Sequence, residues 1–212
     1  SRPLTGANPT TSVIEFDGNA TGDNLVVDGV SYTFPIAGAT AFVADNGDAS
    51  ALFTTACTYG GPTDFLDDCG NVNAGPTGGG VAFGSSYEFE NGITIAAGYQ
   101  ATDAQENLGI MTEESLDQYA FNVAYLKDNY GLSVTYAAVE DFALADFAKE
   151  DTYTAFNGYF TPEGDGLPSI SVGYEIGDDA DPTTNATPLG ADLDQITSFF
   201  LGLQWDEGVV GP

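Results

Sequence analysis

Apolar and polar side chains alternate along much of this chain, and this period of two limits the fold more than any other feature of the sequence. In the segment 118–126, Tyr119, Phe121, Val123 and Tyr125 share one face, while small or polar residues occupy the other. Successive side chains of an extended strand point to opposite faces of a sheet. The alternation therefore predicts β-strands with one apolar face and one face of small polar residues.

The same alternation recurs in five further segments and, more weakly, in another four. The clear strands are predicted at 81–89, 93–100, 118–126, 130–139, 167–176 and 196–205. The weaker strands are predicted at 11–17, 24–35, 39–45 and 152–161. About ten strands, bounded by turn-forming residues, predict an all-β antiparallel fold.

The connections between these strands fall into two length classes that alternate along the chain. Short connections are predicted at 90–92, 127–129 and 162–166, and long ones at 46–80, 102–117, 140–151 and 177–195. Outer-membrane barrels have short turns at one end and long loops at the other, and their strands of roughly nine to eleven residues cross the membrane at a tilt. The pattern favours a transmembrane antiparallel β-barrel, with a soluble β-sandwich as the alternative.

The composition of the two predicted faces also favours the barrel. Small neutral side chains on the polar face suit a water-filled lumen, whereas a sheet facing bulk water usually carries Lys, Arg and Glu. The candidate pore-lining residues are Glu15, Glu88, Asn122, Ser133, Thr135, Glu175 and Gln204. Aromatic residues near strand ends would form the interfacial girdles of a barrel, or the core of a sandwich: Tyr87, Phe89, Tyr99, Tyr125, Tyr130, Tyr159, Phe160, Tyr174 and Trp205.

The charge balance excludes several classes of function. The chain has 32 acidic residues, three basic residues and no His, giving a net charge of -29. Nucleic-acid binding is not expected, because affinity for phosphate comes from Lys and Arg. The absence of His removes the commonest general base and metal ligand. No catalytic constellation emerges from the many carboxylates, so we expect no enzyme activity; a secreted acidic hydrolase is the least favoured alternative.

More than half of the acidic residues lie in the four long connections. The candidates for acidic outer loops are Asp67, Asp68, Glu113, Glu114, Asp178, Asp179 and Asp181. Acidic residues at a pore mouth would attract cations, although they would also serve simply to keep an exposed surface soluble. Asp178, Asp179 and Asp181 offer hard oxygen ligands without the spacing of an EF-hand, so weak Ca²⁺ binding is the only cofactor interpretation left open.

Cys57 and Cys69 bracket a loop rich in Gly, Pro and Asp. A zinc site is disfavoured, since the chain offers no third Cys and no His. A disulfide that closes this loop fits best and would imply an oxidising compartment, with a pair of reduced thiols as the alternative.

Several segments, taken in order, resemble one family of envelope proteins. Residues 13–16 followed by 24–35 are similar to the early barrel hairpin of cyanobacterial outer-membrane porins of the carbohydrate-selective (OprB-type) family, also known as iron-uptake porins. Residues 131–136, 171–175 and 200–205 resemble later strands of the barrel in this family. The loop between Cys57 and Cys69 is similar to that of the marine picocyanobacterial members.

The resemblance implies a trimeric barrel of about sixteen strands, preceded by a peptidoglycan-binding S-layer homology domain and a coiled coil. About ten strands are too few for such a barrel, so we expect residues 1–212 to be one partial barrel domain of a longer protein. The implied location is the outer membrane. The implied partners are the lipid bilayer, small solutes and inorganic ions, further copies of the chain, and peptidoglycan through the N-terminal region.

The expected function is passive diffusion of small hydrophilic solutes, including carbohydrates and ions, with a preference for cations. The alternative from a different class is a Ca²⁺-stabilised, β-rich structural surface protein of the S-layer or adhesin type. A porin needs detergent to stay in solution and a surface domain does not, so detergent dependence would separate the two.

Overall fold

A computed structural model describes residues 11–17, 26–60, 68–75, 79–102, 109–112, 116–141, 149–164, 166–178 and 195–205. Their strands are β1 Thr11–Asp17, β2 Val26–Ile36, β3 Ala39–Ala44, β4 Val81–Glu88, β5 Ile93–Ala101, β6 Asp117–Leu126, β7 Tyr130–Asp141, β8 Lys149–Phe160, β9 Ser169–Asp178 and β10 Gln195–Gln204. A short 3-10 helix spans Asp68–Gly70. All ten predicted strands are present, and among the described residues no helix has the length and apolarity to cross a bilayer.

The ten strands form one antiparallel sheet in which every strand pairs with its neighbours in sequence. The predicted all-β antiparallel fold is confirmed. Within the described part of the chain the sheet is open, with β1 and β10 at its two edges. Because the strands run up and down in order, the connections alternate between two ends of the sheet. We call the end with connections 45–80 and 102–116 the loop end, and the end with 89–92 and 127–129 the turn end.

The predicted contrast in length between the two ends fails at one connection. The strand β7 continues to Asp141 and β8 begins at Lys149, which is its backbone partner. The connection 142–148 is therefore no longer than 161–168 at the turn end. Ladder hydrogen bonds join backbone groups, so pairing continues through the acidic residues that end the apolar alternation.

The two faces of the sheet have opposite exposure. On the apolar face, Phe121 and Val123 are 52% exposed, and Leu201 is 58% exposed. On the polar face, Asn122 is 1% exposed and Thr135 is fully buried. A soluble antiparallel sheet normally shows the reverse arrangement, with its apolar face against the core and its polar face in water.

The polar face is buried by the chain's own connection between β3 and β4. We call this connection the covering loop; it comprises residues 45–80, of which 45–60, 68–75 and 79–80 are described. Its 3-10 helix contacts β8, β9 and β10. The sequence suggested an outer loop extending from the end of the sheet, but the structure instead lays this connection across the polar face, where side chains on the six strands β5 to β10 bind it.

Candidate functional site

The outgoing limb of the covering loop, residues 49–60, crosses the polar face from β5 to β10. Five of its backbone N–H groups donate hydrogen bonds to side-chain oxygens of the sheet: Ala49 to Gln100 Oε1 (3.0 Å), Thr54 to Asn122 Oδ1 (3.0 Å), Ala56 to Ser133 Oγ (2.8 Å), Thr58 to Ser171 Oγ (3.0 Å) and Gly60 to Gln204 Oε1 (2.8 Å). These acceptors lie on β5, β6, β7, β9 and β10 in turn.

The last four donors are two residues apart, which is the repeat of an extended backbone. An extended chain rises ~3.3 Å per residue, so the six steps from Thr54 to Gly60 cover ~20 Å. The four strand spacings from β6 to β10 cover ~19 Å at ~4.8 Å each. The outgoing limb therefore runs directly across the strands, with alternate N–H groups directed at the polar face of the sheet.

The returning limb is held through its carbonyl oxygens. The amide of Asn157 donates from Nδ2 to the Cys69 carbonyl at 2.8 Å, and the hydroxyl of Ser198 donates to the Gly70 carbonyl at 2.8 Å. Closer to β4, Gln100 donates from Nε2 to the Gly79 carbonyl at 2.9 Å. Because Gln100 also accepts from Ala49, one fully buried side chain joins the two limbs near the base of the loop.

Among the largest fully buried side chains of the described residues, the acidic one is Glu175, at 1% exposure. Its carboxylate accepts from the backbone N–H groups of Asn73 (2.9 Å) and Ala74 (2.8 Å), and from the side-chain amide of Asn73 (2.9 Å). A carboxylate accepts and does not donate, so N–H donors are the partners that replace its lost water. Glu175 therefore fixes the returning limb against β9.

Small residues let the loop backbone approach the sheet closely. A Cβ atom added to Gly98 would meet the Ala49 carbonyl, and one added to Gly173 would meet the Cys69 carbonyl, both well inside contact distance. On the loop side, Ala49 and Ala74 are fully buried. The contact between loop and sheet thus depends on side chains of glycine and alanine size.

The predicted disulfide between Cys57 and Cys69 is present, with a Cα–Cα distance of 6.4 Å. Cys57 belongs to the outgoing limb and Cys69 to the returning limb. The bond joins the two limbs beyond β7, since Ala56 binds Ser133 on β7 and Cys69 binds Asn157 on β8, while Gln100 on β5 joins them near the base. The two limbs are therefore linked at two places along their path across the sheet.

The structure brings most of the predicted pore-lining residues together beneath this loop. Asn122, Ser133, Glu175 and Gln204 bind the loop directly, and Thr135 accepts from Asn122 Nδ2 at 2.8 Å. Glu88 is exposed at the turn end of β4, and Glu15 lies in β1 with a side chain outside the described part of the structure. That the predicted residues line a pore stays a prediction. In the structure, Asn122, Ser133, Glu175 and Gln204 hold the covering loop.

The predicted acidic outer-loop residues are only partly described. Asp178 is exposed where β9 reaches the loop end, and Asp68 begins the 3-10 helix on the polar face. Asp67, Glu113, Glu114, Asp179 and Asp181 lie outside the described residues. Over the described ranges, no group of three His, Cys, Asp or Glu side chains could hold a metal ion.

Sequence reasoning missed four side chains that also hold the loop, namely Gln100, Asn157, Ser171 and Ser198. The alternation does place Gln100, Ser171 and Ser198 on the polar face. Nothing in the local pattern separates a polar side chain that binds a distant loop from one that faces solvent. The position of the loop was the missing information.

The aromatic residues predicted near strand ends collect mainly at the turn end. Tyr87 and Phe89 contact edge to face at 4.7 Å between ring centroids, and Tyr125 and Tyr130 lie 6.1 Å apart. Nζ of Lys127 lies 5.2 Å from the centroid of the Tyr125 ring. Tyr159, Phe160 and Trp205 lie at the same end, whereas Tyr99 lies towards the loop end and Tyr174 is central in β9.

Comparison with known proteins gives no further guide to the function. No protein-family model matches the chain, and no curated protein matches it.

Proposed function

We propose that this chain forms part of the wall of an outer-membrane β-barrel that passes small hydrophilic solutes and ions by passive diffusion. The observation that carries the proposal is the inversion of the two faces. Large apolar side chains are exposed on one face, and small polar side chains are buried on the other beneath the chain's own loop.

The exposed apolar face needs a cover other than water. Leaving apolar surface in water forgoes ~25 cal/mol for each Å². The face extends over neighbouring strands, for example through Phe156 (48% exposed), Val172 (43%) and Phe199 (72%) on β8, β9 and β10. Hydrocarbon removes this cost, and an outward apolar band is what outer-membrane barrels present to lipid.

The uncharged stretches of the strands match the thickness of such a band. The strand β6 has no charged side chain between Asp117 and Lys127. At a rise of ~3.4 Å per residue and a tilt of ~40°, this stretch spans ~26 Å, close to the ~25 Å apolar band of outer-membrane barrels. Uncharged stretches of similar length occur at 91–102, 129–139, 152–162 and 195–205.

The turn end has the side chains of a membrane interface. Aromatic rings that combine an apolar body with a polar edge concentrate at headgroup level, and long basic side chains anchor there. Tyr87, Phe89 and Tyr130 are exposed at this end, with Lys127 over the Tyr125 ring. In the barrel, this row would form one aromatic girdle.

A membrane location requires both sheet edges to be paired. Open edges do not occur in hydrocarbon, because unpaired N–H and C=O groups find no water there. The edges of β1 and β10 would therefore pair with further strands, in keeping with a barrel of about sixteen strands and a trimer, as the family resemblance implies. In that barrel the polar face points inward, and the covering loop narrows the lumen.

The acidic excess favours cations in such a pore. The net charge of -29 leaves too few basic side chains to cancel the field of the carboxylates. Acidic residues concentrate in connections that leave from the loop end, so their fields add at one mouth. Glu175 adds less to the field in the pore than its sequence position suggested, because its carboxylate accepts hydrogen bonds from the covering loop.

Conductance in planar bilayers tests the proposal. The purified full-length protein should need detergent to stay dispersed, and should insert to give discrete, ohmic conductance steps. Steps absent from a protein that is folded and dispersed in detergent would refute the diffusion pore. A monodisperse protein without detergent would instead favour the alternative, a β-rich surface protein, and removal of Ca²⁺ should then lower its unfolding temperature.

A further inference from the structure

The apolar face contains a groove of about 700 Å³ that is lined by residues from β2 to β7. Its floor is a row of small side chains, Ala41, Ser85 and Ala97, which are direct cross-strand partners. Phe34 pairs with Ala41 at one end of the row, and Phe121 pairs with Ala97 at the other. The groove is therefore a gap in an otherwise bulky surface, bounded at both ends by phenyl rings.

A second row of larger side chains borders the groove towards the loop end. Val43, Phe83, Tyr99 and Tyr119 are successive cross-strand partners in this row. The rings of Phe83 and Tyr99 lie 4.9 Å apart. The electron-rich faces of such rings attract cations, and aromatic cages are the common recognition site for quaternary ammonium groups.

Two carboxylates complete the lining at the loop end. Asp117 and Glu140 both line the groove, and the Asp117 N–H donates to Glu140 Oε2 at 3.1 Å. Tyr99 donates its hydroxyl to Asp117 Oδ1 at 2.5 Å, which sets this carboxylate beside the aromatic row. Among the described residues that line the groove there is no Lys or Arg. The groove thus combines an apolar floor, aromatic walls and acidic groups at one end.

We propose that this groove binds a lipid whose headgroup carries a quaternary ammonium ion. The alkyl chain would lie over Ala41, Ser85 and Ala97, and the ammonium would contact the tyrosine rings near Asp117 and Glu140. Small-molecule sites combine such an apolar body with a few polar groups that fix orientation. The inference goes beyond solute passage, since the groove lies on the face opposite the covering loop.

The charges on the groove favour this occupant over the alternatives. An anionic lipid would place its phosphate or sulfate beside two carboxylates. A second copy of the chain would bring a protein with the same net charge of -29 to this acidic end of the groove. Like charges brought together in a site of low dielectric repel strongly, whereas an ammonium group is attracted.

Native mass spectrometry of the full-length protein in uncharged dodecyl maltoside tests the assignment. Dodecyltrimethylammonium is titrated as the probe, with dodecyl sulfate as the anionic comparison. We expect one tightly bound ammonium probe, held at least ~10-fold more tightly than the sulfate, as ~1.4 kcal/mol of favourable charge and ring contact would give. Equal affinity for the two probes would overturn the proposal.

Two variants locate the site. Ala97→Phe fills the floor of the groove and should weaken binding of the ammonium probe at least ~10-fold. Val134→Phe adds a similar ring to the apolar face outside the groove and should leave this binding unchanged. The double variant Asp117→Asn, Glu140→Gln keeps hydrogen-bond acceptors at both positions. It should lose only the preference for the ammonium probe over the sulfate probe. Unchanged binding in Ala97→Phe, or an unchanged preference in the carboxamide pair, would refute the site whether or not the protein conducts ions.

A direct contact measurement makes the result independent of how well the variants fold. Nuclear Overhauser effects should connect the N-methyl protons of the bound probe with the rings of Tyr99 and Tyr119 in the wild-type protein. Contacts with aromatic rings at the turn end alone would place the ammonium elsewhere and contradict the proposal.

Discussion

Asn73 gives Glu175 two hydrogen bonds, one from its backbone N–H to Oε2 and one from its side-chain amide to Oε1, each 2.9 Å long. The two residues are 102 positions apart. This pairing joins the covering loop to the strand β9 through a single buried carboxylate.

Glu175→Gln should loosen the covering loop. The new amide retains one acceptor oxygen but turns an NH₂ group towards N–H donors, which should cost ~1–3 kcal/mol. Faster chymotrypsin cleavage at Phe53 or Tyr59 would report the loosening. Glu88→Gln changes the same charge at an exposed position and should leave cleavage unchanged. Equal protection of the loop in both variants would remove the assigned role of Glu175.

Gly173→Ala should displace the loop by steric contact. The added Cβ would meet the Cys69 carbonyl, and overpacking of this kind costs ~1–3 kcal/mol. Gly75→Ala is the matched control, because its nearest neighbour would be Ser50 Cβ at 3.8 Å. Urea unfolding in detergent should show a lower midpoint for Gly173→Ala alone. A shared midpoint would mean that the loop does not lie against β9.

Reduction of the disulfide should widen the pore and increase its noise. The bond joins both limbs of the covering loop, and removing a native disulfide costs ~2–4 kcal/mol through greater freedom of the segment it closes. Single-channel traces recorded before and after addition of dithiothreitol should differ for the wild-type protein. The double variant Cys57→Ser, Cys69→Ser should already conduct like the reduced protein and ignore the reductant.

Val123→Arg should prevent assembly in the membrane. Val123 is 52% exposed at the middle of β6, where an Arg facing lipid costs ~2–4 kcal/mol. Ser86→Arg places the same side chain on the other face of the sheet and should assemble. The fraction of folded protein in vesicles is measured by its shift in gel mobility. Equal folding of both variants would show that the apolar face does not meet lipid.

The open pore should prefer cations, and the preference should fade with salt. The Debye length falls from ~10 Å at 0.1 M to ~3 Å at 1 M, which screens the carboxylates at the mouth. Reversal potentials in KCl gradients centred on these two concentrations give the permeability ratio. Anion preference at low salt would disprove the acidic mouth while leaving the barrel intact.

The strands could be predicted from the sequence because their signal is local. In β6, the positions of Tyr119 and Phe121 are enough to assign both faces. The path of the covering loop could not be predicted, because the hydrogen bond from Gly60 to Gln204 depends on the position of β10 in space. The sequence placed the end of β7 too early and the start of β8 too late, since the backbone pairing of Asp141 with Lys149 has no counterpart in apolar alternation.

The path of the covering loop also sets an order of assembly. Cys57 and Cys69 are 12 positions apart, whereas Gly60 and Gln204 are 144 apart. Closing a short segment costs less chain entropy than closing a long one, and contacts between distant residues form slowly. The disulfide is thus able to join the two limbs of the covering loop before the loop docks on the sheet. The contact of the covering loop with the sheet is complete only after β10 has paired, so the loop docks as one of the last events of folding.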